Sequence, residues 1–376
     1  MKLLHTADWQ LGRSYGFDDG DADGVSPSAA LSQARFDAVA AIAALAHQEQ
    51  VDAVLVAGDV FDSQGVSDRS LRRTVGAMAG FAGRWVLLPG NHDAALAESV
   101  WTRLQRLDIV PPQVTLALQP GVLQFPELGL AMLAAPLTQR HTHDDLTAFF
   151  DSADSAPGLL RVGLAHGSVT GVLPEGVDSP NPIAADRAER ARLDYLALGD
   201  WHGLKQVDTR TWYSGTPEPE RFVANDPGHV LLVELDAPGA PPRVTPRRVG
   251  RYHWRQHAAE IRGVGDIDAL GDVLAALDAD TVLRLQVQGL ASDADIQHLQ
   301  RLLDAERARL HLLQADLTGL RLEPTEADLA ALRLDGALAE LVDELRALQQ
   351  QDEQAELATE ALKLLFDLAR RAEAEA

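Results

Sequence analysis

The sequence contains five short motifs in which aspartate, asparagine or histidine accompanies glycine. They are His5–Gly12, Gly58–Asp62, Pro89–Asp93, His166–Gly167 and Gly199–Gly203. Carboxylate and amide oxygens and imidazole nitrogens suit Mn²⁺, Mg²⁺, Fe²⁺ or Zn²⁺, and the chain has no cysteine to offer a thiolate. Two metals about 3.5–4 Å apart need a shared ligand, and a carboxylate such as Asp59 has two oxygens with which to bridge them. The motifs therefore predict a centre of divalent metal ions.

Each motif follows a short apolar run that is typical of a buried strand. These runs are Lys2–His5, Ala53–Ala57, Trp85–Leu88, Leu160–Ala165 and Tyr195–Leu198, and Leu130–Ala134 is a sixth. Helical spacing predicts helices at Ser28–His47, Ser67–Ala79 and Ala95–Leu107. Alternating strands and helices favour an α/β domain, whose functional loops follow the carboxyl ends of the strands. We therefore expect the five motifs to meet at one rim of a sheet.

The pattern changes after about residue 228. His229–Leu235 and Arg243–Val249 are predicted strands, and a small α/β unit follows with a helix, a strand, a helix and a strand at Asp266–Leu277, Thr281–Val287, Asp293–Arg309 and Leu310–Asp316. From Glu326 onward the chain is rich in alanine, leucine and glutamate, and it predicts a helical hairpin broken near residues 349–352. We predict three domains: a catalytic domain at 1–255, a smaller domain at 256–320 and C-terminal helices at 321–376.

Composition narrows the class of protein. The chain has 376 residues, of which 46% are hydrophobic, so it is globular. Its formal net charge of −23 argues against binding nucleic acid through bulk positive charge. The first residues turn polar too early for a signal peptide, and no apolar run reaches the roughly 18 residues that span a bilayer. We therefore expect a cytoplasmic protein that does not enter a membrane.

The order of the motifs resembles that of the calcineurin-like metallophosphoesterases. Within them, His5–Trp9, Gly58–Asp62 and Leu88–Asp93 look like the SbcD-type DNA repair nucleases, and Tyr213–Glu218 is similar to a segment of that family. The resemblance implies a two-sheet sandwich flanked by helices, with the small α/β unit as a capping domain. It also implies hydrolysis of a phosphodiester by in-line attack of a metal-bridging water.

The resemblance further implies roles for individual residues. One metal would be held by Asp8, Gln10, Asp59 and His202, and the other by Asp59, Asn91, His166 and Asp200. His92 would stabilise the scissile phosphate or protonate the leaving oxygen. Asp62 would orient and charge His92 from behind, as a carboxylate partner does.

Two of these positions depart from the family's pattern. Gln10 and Asp200 stand where the family usually has histidine. Oxygen in place of nitrogen shifts the preference toward harder ions, so we expect Mn²⁺ first, with Mg²⁺, Fe²⁺ or Zn²⁺ as alternatives. Both departures look like those of the MPE branch of bacterial metallophosphoesterases, a branch associated with Mn-dependent cleavage of single-stranded DNA. A lost or altered activity is the alternative interpretation.

The leading hypothesis is a DNA repair nuclease that acts on single-stranded DNA, as an endonuclease, an exonuclease or both. The alternatives are hydrolysis of nucleotides or other small phosphate esters, and a non-catalytic partner that has kept the fold. Candidate DNA contacts are Arg13, Tyr15, Arg69, Arg221 and Arg251. The arginine- and aromatic-rich run Arg247–Arg255 fits either DNA or a solvated strand edge. The C-terminal helices either pack within the chain or bind an ATPase or helicase partner.

Overall fold

The computed structural model describes residues 1–17, 26–172, 180–322, 337–351 and 354–375. The chain divides into two compact units, residues 1–254 and 255–376. The first unit covers all but one residue of the predicted catalytic domain. The predicted capping domain and C-terminal helices both fall in the second unit, and residues 323–336 of the latter lie outside the described part of the chain.

The first sheet of the first unit has four parallel strands and two antiparallel ones. The parallel strands are β1 (Lys2–Thr6), β2 (Ala53–Ala57), β3 (Arg84–Leu88) and β4 (Val114–Leu116). On the other side of β1 lie β13 (His229–Glu234) and β14 (Arg243–Arg248), both antiparallel to their neighbours. The strand order is β14-β13-β1-β2-β3-β4.

The second sheet also has six strands. They are β5 (Gly121–Phe125), β6 (Leu130–Ala135), β7 (Leu160–His166), β10 (Tyr195–Gly199), β11 (Lys205–Gln206) and β12 (Thr211–Tyr213), in the order β11-β12-β10-β7-β6-β5. β6, β7, β10 and β12 are parallel. A short parallel ribbon of β8 (Ser168–Val169) and β9 (Pro182–Ile183) follows β7 in the chain.

The two sheets pack face to face because alternate residues of each strand point to opposite sides. Leu3 and Leu55 of the first sheet pack with Met132 and Leu164 of the second. Their neighbours in the chain point outward and pack against helices, which are α1 (Pro27–Gln48), α2 (Asp68–Met78) and α3 (Val100–Arg106) over the first sheet and α4 (Arg187–Arg190) over the second. The predicted two-sheet sandwich flanked by helices is confirmed.

The third helix begins later than predicted. We predicted a helix at Ala95–Leu107, but α3 begins at Val100. Ser99 accepts a hydrogen bond from the Thr102 amide, and the Thr102 hydroxyl accepts one from the Ser99 amide. This capping box satisfies free amides at the start of the helix and fixes that start.

Helix α1 is long and apolar enough to cross a membrane by length and composition alone. Half of its most apolar stretch is buried inside the protein. Phe36, Val39 and Ile42 belong to the core beneath the first sheet. We therefore interpret α1 as a core helix.

A charged residue of α1 is also buried. The Arg35 guanidinium is 3.0 Å from the Glu220 carboxylate, and it donates to the Trp9 carbonyl at 2.7 Å and to the Tyr15 hydroxyl at 2.9 Å. Removing one partner of a buried pair leaves the other charge without compensation. Arg35 therefore ties α1 to two segments next to the predicted metal motifs.

Arg35→Met is expected to lower the free energy of unfolding by roughly 3 kcal/mol, since Glu220 would lose its most buried cation. Urea unfolding followed by tryptophan fluorescence measures this. All six tryptophans lie before residue 255 and so report on the first unit. Arg106→Met, which removes an exposed pair with Glu98, should leave the midpoint nearly unchanged. Equal effects of the two substitutions would contradict the role assigned to Arg35.

The second unit contains a three-stranded sheet with helices. Its elements are β15 (His253–Ile261), α5 (Val264–Ala275), β16 (Thr281–Ala291), α6 (Asp293–Arg309) and β17 (Leu312–Leu322). The last strand runs six residues beyond its predicted end. A helical hairpin follows, made of α7 (Ala337–Gln349) and α8 (Ala355–Glu375), in which Val342 packs against Leu362. The predicted helical C-terminal region is confirmed.

Candidate metal centre

The five motifs lie beyond β1, β2, β3, β7 and β10, the strands that form the middle of the two sheets. The loops after β1 and β2 run side by side, because the Asp8 amide donates to the Gly58 carbonyl at 3.0 Å and the Gln10 amide to the Asp59 carbonyl at 2.9 Å. Asp8, Gln10, Asp59 and Asp200 all have positive φ, at 53°, 44°, 52° and 102°. Such strain costs on the order of 1–3 kcal/mol each and is concentrated at functional sites.

Two glycines let these loops approach one another. A Cβ on Gly58, whose φ is +92°, would lie 2.1 Å from Nδ1 of His166. A Cβ on Gly90 would lie 2.2 Å from Oδ1 of Asp59. Only glycine fits at either position, so the motif glycines allow ligands from different strands to meet.

Asp8, Asp59 and His166 form a buried cluster whose potential ligand atoms all lie within 4.8 Å of one another. His166 Nδ1 is 2.8 Å from the Ala57 carbonyl and donates to it, so Nε2 is the nitrogen that faces the cluster. That nitrogen is 3.6 Å from Asp59 Oδ1, 3.8 Å from Asp200 Oδ1 and 2.9 Å from the side-chain amide of Asn91. Converging oxygen and nitrogen acceptors fit a divalent cation.

The other side of the cluster is formed by Asp8 and His202. His202 Nε2 is 3.9 Å from Asp8 Oδ1, and the Asp200 amide donates to the same oxygen at 3.1 Å. The Asp200 carboxylate accepts from the Ser168 hydroxyl at 2.6 Å. His202 Nδ1 donates to the Glu220 carboxylate. A carboxylate behind a histidine fixes the tautomer and orientation that a metal ligand needs.

The buried charges shift the pKa values of the cluster. Burial raises the pKa of Asp8, and nearby histidines offset part of that rise. Burial alone would lower the pKa of His166, but the carboxylates of Asp59, Asp8 and Asp200 more than offset this and raise it to about 9. The cluster therefore attracts positive charge, either as protons or as a metal ion.

His92 lies at the rim of the cluster, and its side chain is 29% exposed. Its amide donates to Asp59 Oδ1 at 2.9 Å, and its Nε2 is 4.0 Å from Asp59 Oδ2. Its Nδ1 is 2.7 Å from the backbone carbonyl of Asp62. We expected the Asp62 carboxylate there, but that group accepts from Arg13 at 3.2 Å, because the guanidinium offers it a charged donor.

Gln10 does not present its oxygen to the cluster. Its Oε1 accepts from Arg13 Nη1 at 2.8 Å, and its Nε2 is 3.4 Å from His202 Nε2. The oxygen that would serve as a metal ligand is thus engaged with Arg13.

Two carboxylates next to the cluster were not assigned a role from sequence. Asp93 accepts from the Gly90 amide at 2.7 Å and from the Phe61 amide at 3.0 Å, and so connects motifs two and three. Glu220 is ion-paired with Arg35 and Arg13. Burial alone would raise the pKa of Glu220, but His202 and the two arginines hold it at about 2. In the sequence, Glu220 lies just after Tyr213–Glu218, the segment that is similar to one of the SbcD-type nucleases.

The candidate DNA contacts are distributed over several parts of the first unit. Arg13 is 30% exposed beside the cluster, and Arg69 on α2 and Arg221 are exposed. The Tyr15 hydroxyl is bonded to Arg35. Arg251 is exposed, and its guanidinium lies 5.1 Å from the ring of Tyr252.

The run Arg247–Arg255 is partly structural. Arg247 pairs with Glu49 at 3.3 Å, and Arg248 donates to the Tyr252 carbonyl at 3.1 Å. The Tyr252 ring is buried. Of the two interpretations of this run, a strand edge and linker describes these three residues better than a DNA-binding surface.

The fold and the cluster of acceptors define a metal-dependent hydrolase of the calcineurin-like class. The model of the family described as calcineurin-like phosphoesterase matches residues 1–233, and the chain belongs to that family. Among curated proteins it is similar to the SbcD subunit of the nuclease SbcCD from Rhodobacter capsulatus, with 29% identity over 86% of this chain and 88% of the relative. It is also similar to the SbcD subunit of the nuclease SbcCD from Bacillus subtilis, with 24% identity over 58% of this chain and 61% of the relative. Among solved structures, that of TT1561 from Thermus thermophilus matches with a TM-score of 0.41 and 12% identity over 66% of this chain and 98% of that one.

Glu220→Gln is expected to weaken Mn²⁺ binding by about 10–100-fold, because the carboxylate that orients His202 is replaced by a neutral amide. Isothermal titration calorimetry with Mn²⁺ measures this, and a thermal melt of the same sample shows whether the protein is folded. Glu98→Gln, the same change at an exposed carboxylate, serves as the control. Unchanged affinity in folded Glu220→Gln would contradict a positioning role for Glu220.

Proposed function

We propose that this chain hydrolyses phosphodiester bonds of DNA, preferentially single-stranded, at a centre of two divalent metals. The observation that carries the proposal is the buried acceptor cluster of Asp8, Asp59 and His166. The curated relatives named as nucleases support DNA as the substrate. One metal would be held by Asp59, Asn91, His166 and Asp200, and the other by Asp8, Asp59 and His202. Asp59 belongs to both sets.

When bound, the metals would supply Lewis-acid activation of water and neutralise charge on the phosphate. The side chains of the protein position the ligands and supply the proton. Asp59 holds the His92 amide and so places the imidazole at the edge of the cluster. His92 Nε2 would give its proton to the leaving oxygen or hold its charge against the phosphate. Glu220 keeps His202 in one tautomer, and Ser168 holds Asp200.

We propose Mn²⁺ as the preferred ion, because Asp200 gives an oxygen ligand where the family usually has histidine. Asp200→His is expected to shift the preferred metal from Mn²⁺ toward Zn²⁺ or Fe²⁺. Initial rates with Mn²⁺, Mg²⁺, Fe²⁺ and Zn²⁺ measure this for both proteins, and Asp208→His, at an exposed aspartate, is the control. An identical order of metals in Asp200→His and the unchanged protein would contradict the assignment.

We also propose a protein partner for the C-terminal hairpin and a cytoplasmic location. Leu357, Leu364 and Leu368 on α8 are exposed at 75%, 60% and 51%, and their spacing of seven and four residues places them on one helical face. Together with the relatives' description as one part of a larger nuclease, this supports an ATPase or helicase partner that binds the C-terminal hairpin. The absence of cysteine suits the reducing cytoplasm.

The test is digestion of circular single-stranded, linear single-stranded and duplex DNA with Mn²⁺, beside nucleotides as small phosphate esters. Cleavage of single-stranded DNA is expected. Cleavage of the circular strand would show that no free end is required, and cleavage of the linear strand alone would show that one is. Chelation of the metal should stop the reaction. Rapid hydrolysis of nucleotides with intact DNA would favour the small-ester alternative, and no hydrolysis of any substrate by metal-loaded protein would favour the non-catalytic one. High salt should weaken DNA binding, because contacts of arginine side chains with phosphates release counterions from the DNA.

A further inference from the structure

Four side chains beside the metal cluster form a closed ring of polar contacts, which we call the Gln10 ring. Arg13 Nη1 donates to Gln10 Oε1 at 2.8 Å. Gln10 Nε2 is 3.4 Å from His202 Nε2. His202 Nδ1 donates to the Glu220 carboxylate, and the other Glu220 oxygen is 3.4 Å from Arg13 Nη1.

The chemistry of the end groups fixes the direction of each contact. A guanidinium only donates, so the Gln10 atom that faces Arg13 must be the oxygen, and the NH₂ group must face His202. The Glu220 carboxylate is ion-paired with Arg13 and Arg35 and accepts from His202 Nδ1, so His202 carries a proton on Nδ1. The lone pair on His202 Nε2 is therefore directed at the Gln10 amide, which is a donor.

The two histidines of the cluster differ in what faces their potential ligand nitrogens. Nε2 of His166 faces the oxygens of Asp59 and Asp200 and, at 2.9 Å, the side-chain amide of Asn91. Nε2 of His202 also faces an oxygen, that of Asp8 at 3.9 Å, but it is covered from the other side by a donor. Arg13 places a positive charge directly behind that donor. A cation at His202 must displace the Gln10 side-chain amide, whose oxygen Arg13 holds, and it meets the repulsion of that guanidinium. A cation at His166 displaces the contact with the Asn91 side-chain amide, whose oxygen is itself one of the proposed ligands.

We infer that Gln10 is not a metal ligand but a competitor for the lone pair of His202, so that the Asp8–Asp59–His202 site loads after the Asp59–Asn91–His166–Asp200 site and more weakly. The inference rests on the two-metal centre proposed above. Loading of the weaker site then sets the metal concentration at which the protein becomes fully active. Gln10 is buried, so its amide has no solvent to turn into.

Gln10→Ala distinguishes a competitor from a ligand by the sign of its effect. Removing a competing hydrogen bond should raise the Mn²⁺ affinity of the weaker site by about three- to tenfold, whereas removing a ligand would lower it. Gln10→Met, which keeps the volume without an amide donor or acceptor, should act in the same direction. Gln105→Ala, at an exposed position of α3, is the matched control.

The measurement is a Mn²⁺ titration followed by calorimetry and electron paramagnetic resonance. The unchanged protein should bind one isolated ion first and form a spin-coupled pair only at higher concentration. In Gln10→Ala and Gln10→Met the pair should form at lower Mn²⁺ concentration. Two sites of equal affinity, or weaker pair formation in both variants, would overturn the inference and leave the two-metal centre standing. Absence of any Mn²⁺ binding would overturn the two-metal centre, and this inference with it.

Discussion

Asp59→Asn is expected to reduce phosphodiester hydrolysis by at least roughly 10⁴-fold, because it removes the carboxylate that we propose the two metals share. Asp59 is buried, its Oδ1 lies 3.6 Å from His166 Nε2, and the same oxygen holds the His92 amide. Asparagine keeps the shape of the side chain but removes its negative charge and one of its two acceptor oxygens. Both proposed metals would therefore bind more weakly.

The control for this substitution makes the same chemical change at a residue with a similar φ. Asp108 is exposed and has a φ of 50°, close to the 52° of Asp59. Asp108→Asn should therefore keep full activity. The rate is measured on single-stranded DNA at saturating Mn²⁺, after tryptophan fluorescence has shown that both variants are folded. More than a tenth of the original activity in Asp59→Asn would refute the shared role of this carboxylate.

His92→Ala is expected to lower the rate of DNA cleavage by about 10²–10⁴-fold while Mn²⁺ binding stays unchanged. The imidazole is partly exposed at the rim, and its Nδ1 is occupied by the Asp62 carbonyl. Its Nε2 would therefore be the nitrogen that contacts a bound phosphodiester. His143→Ala, at an exposed histidine, is the control.

The two roles open to His92 can be separated with a chromogenic diester. A nitrophenolate leaves without a proton, so loss of a proton donor would reduce its release much less than it reduces DNA cleavage. Loss of a positive charge that stabilises the phosphate would reduce both reactions to a similar extent. Undiminished turnover of both substrates by His92→Ala would refute both roles.

The positions of the motifs followed from the sequence because they depend on local signals. Each apolar run is short and is followed by glycine and a polar ligand type, so strand ends at residues 6, 57, 88, 166 and 199 were predicted to within one residue. The sandwich and the helical C-terminal region followed from the same periodicities and from the family resemblance. Strand length in β17 was underestimated, because its last residues alternate less clearly between apolar and polar.

The side-chain contacts of the centre did not follow from the sequence. Arg13 lies between Gln10, Asp62 and Glu220, and its spacing along the chain does not say which of them it would bind. Because Arg13 binds the Asp62 carboxylate, His92 contacts the backbone carbonyl of Asp62 instead of its carboxylate. Glu220 lies 18 residues from His202, a separation that carries no periodic signal. Such pairings depend on how two loops meet in space.

The position of β1 has a consequence for how the protein folds. Leu3 pairs with Val233 of β13 on one side and with Ala53 of β2 on the other. The first strand therefore lies between a strand that is synthesised early and one that is synthesised late. During synthesis, β13 can pair with β1 only after more than 230 residues have left the ribosome. Contacts so distant in sequence form slowly, and an open strand edge invites association with other chains in the meantime. The nascent chain therefore passes through a long interval in which β1, the strand that precedes Asp8, can be paired on one side only, and this interval is when a chaperone would matter most.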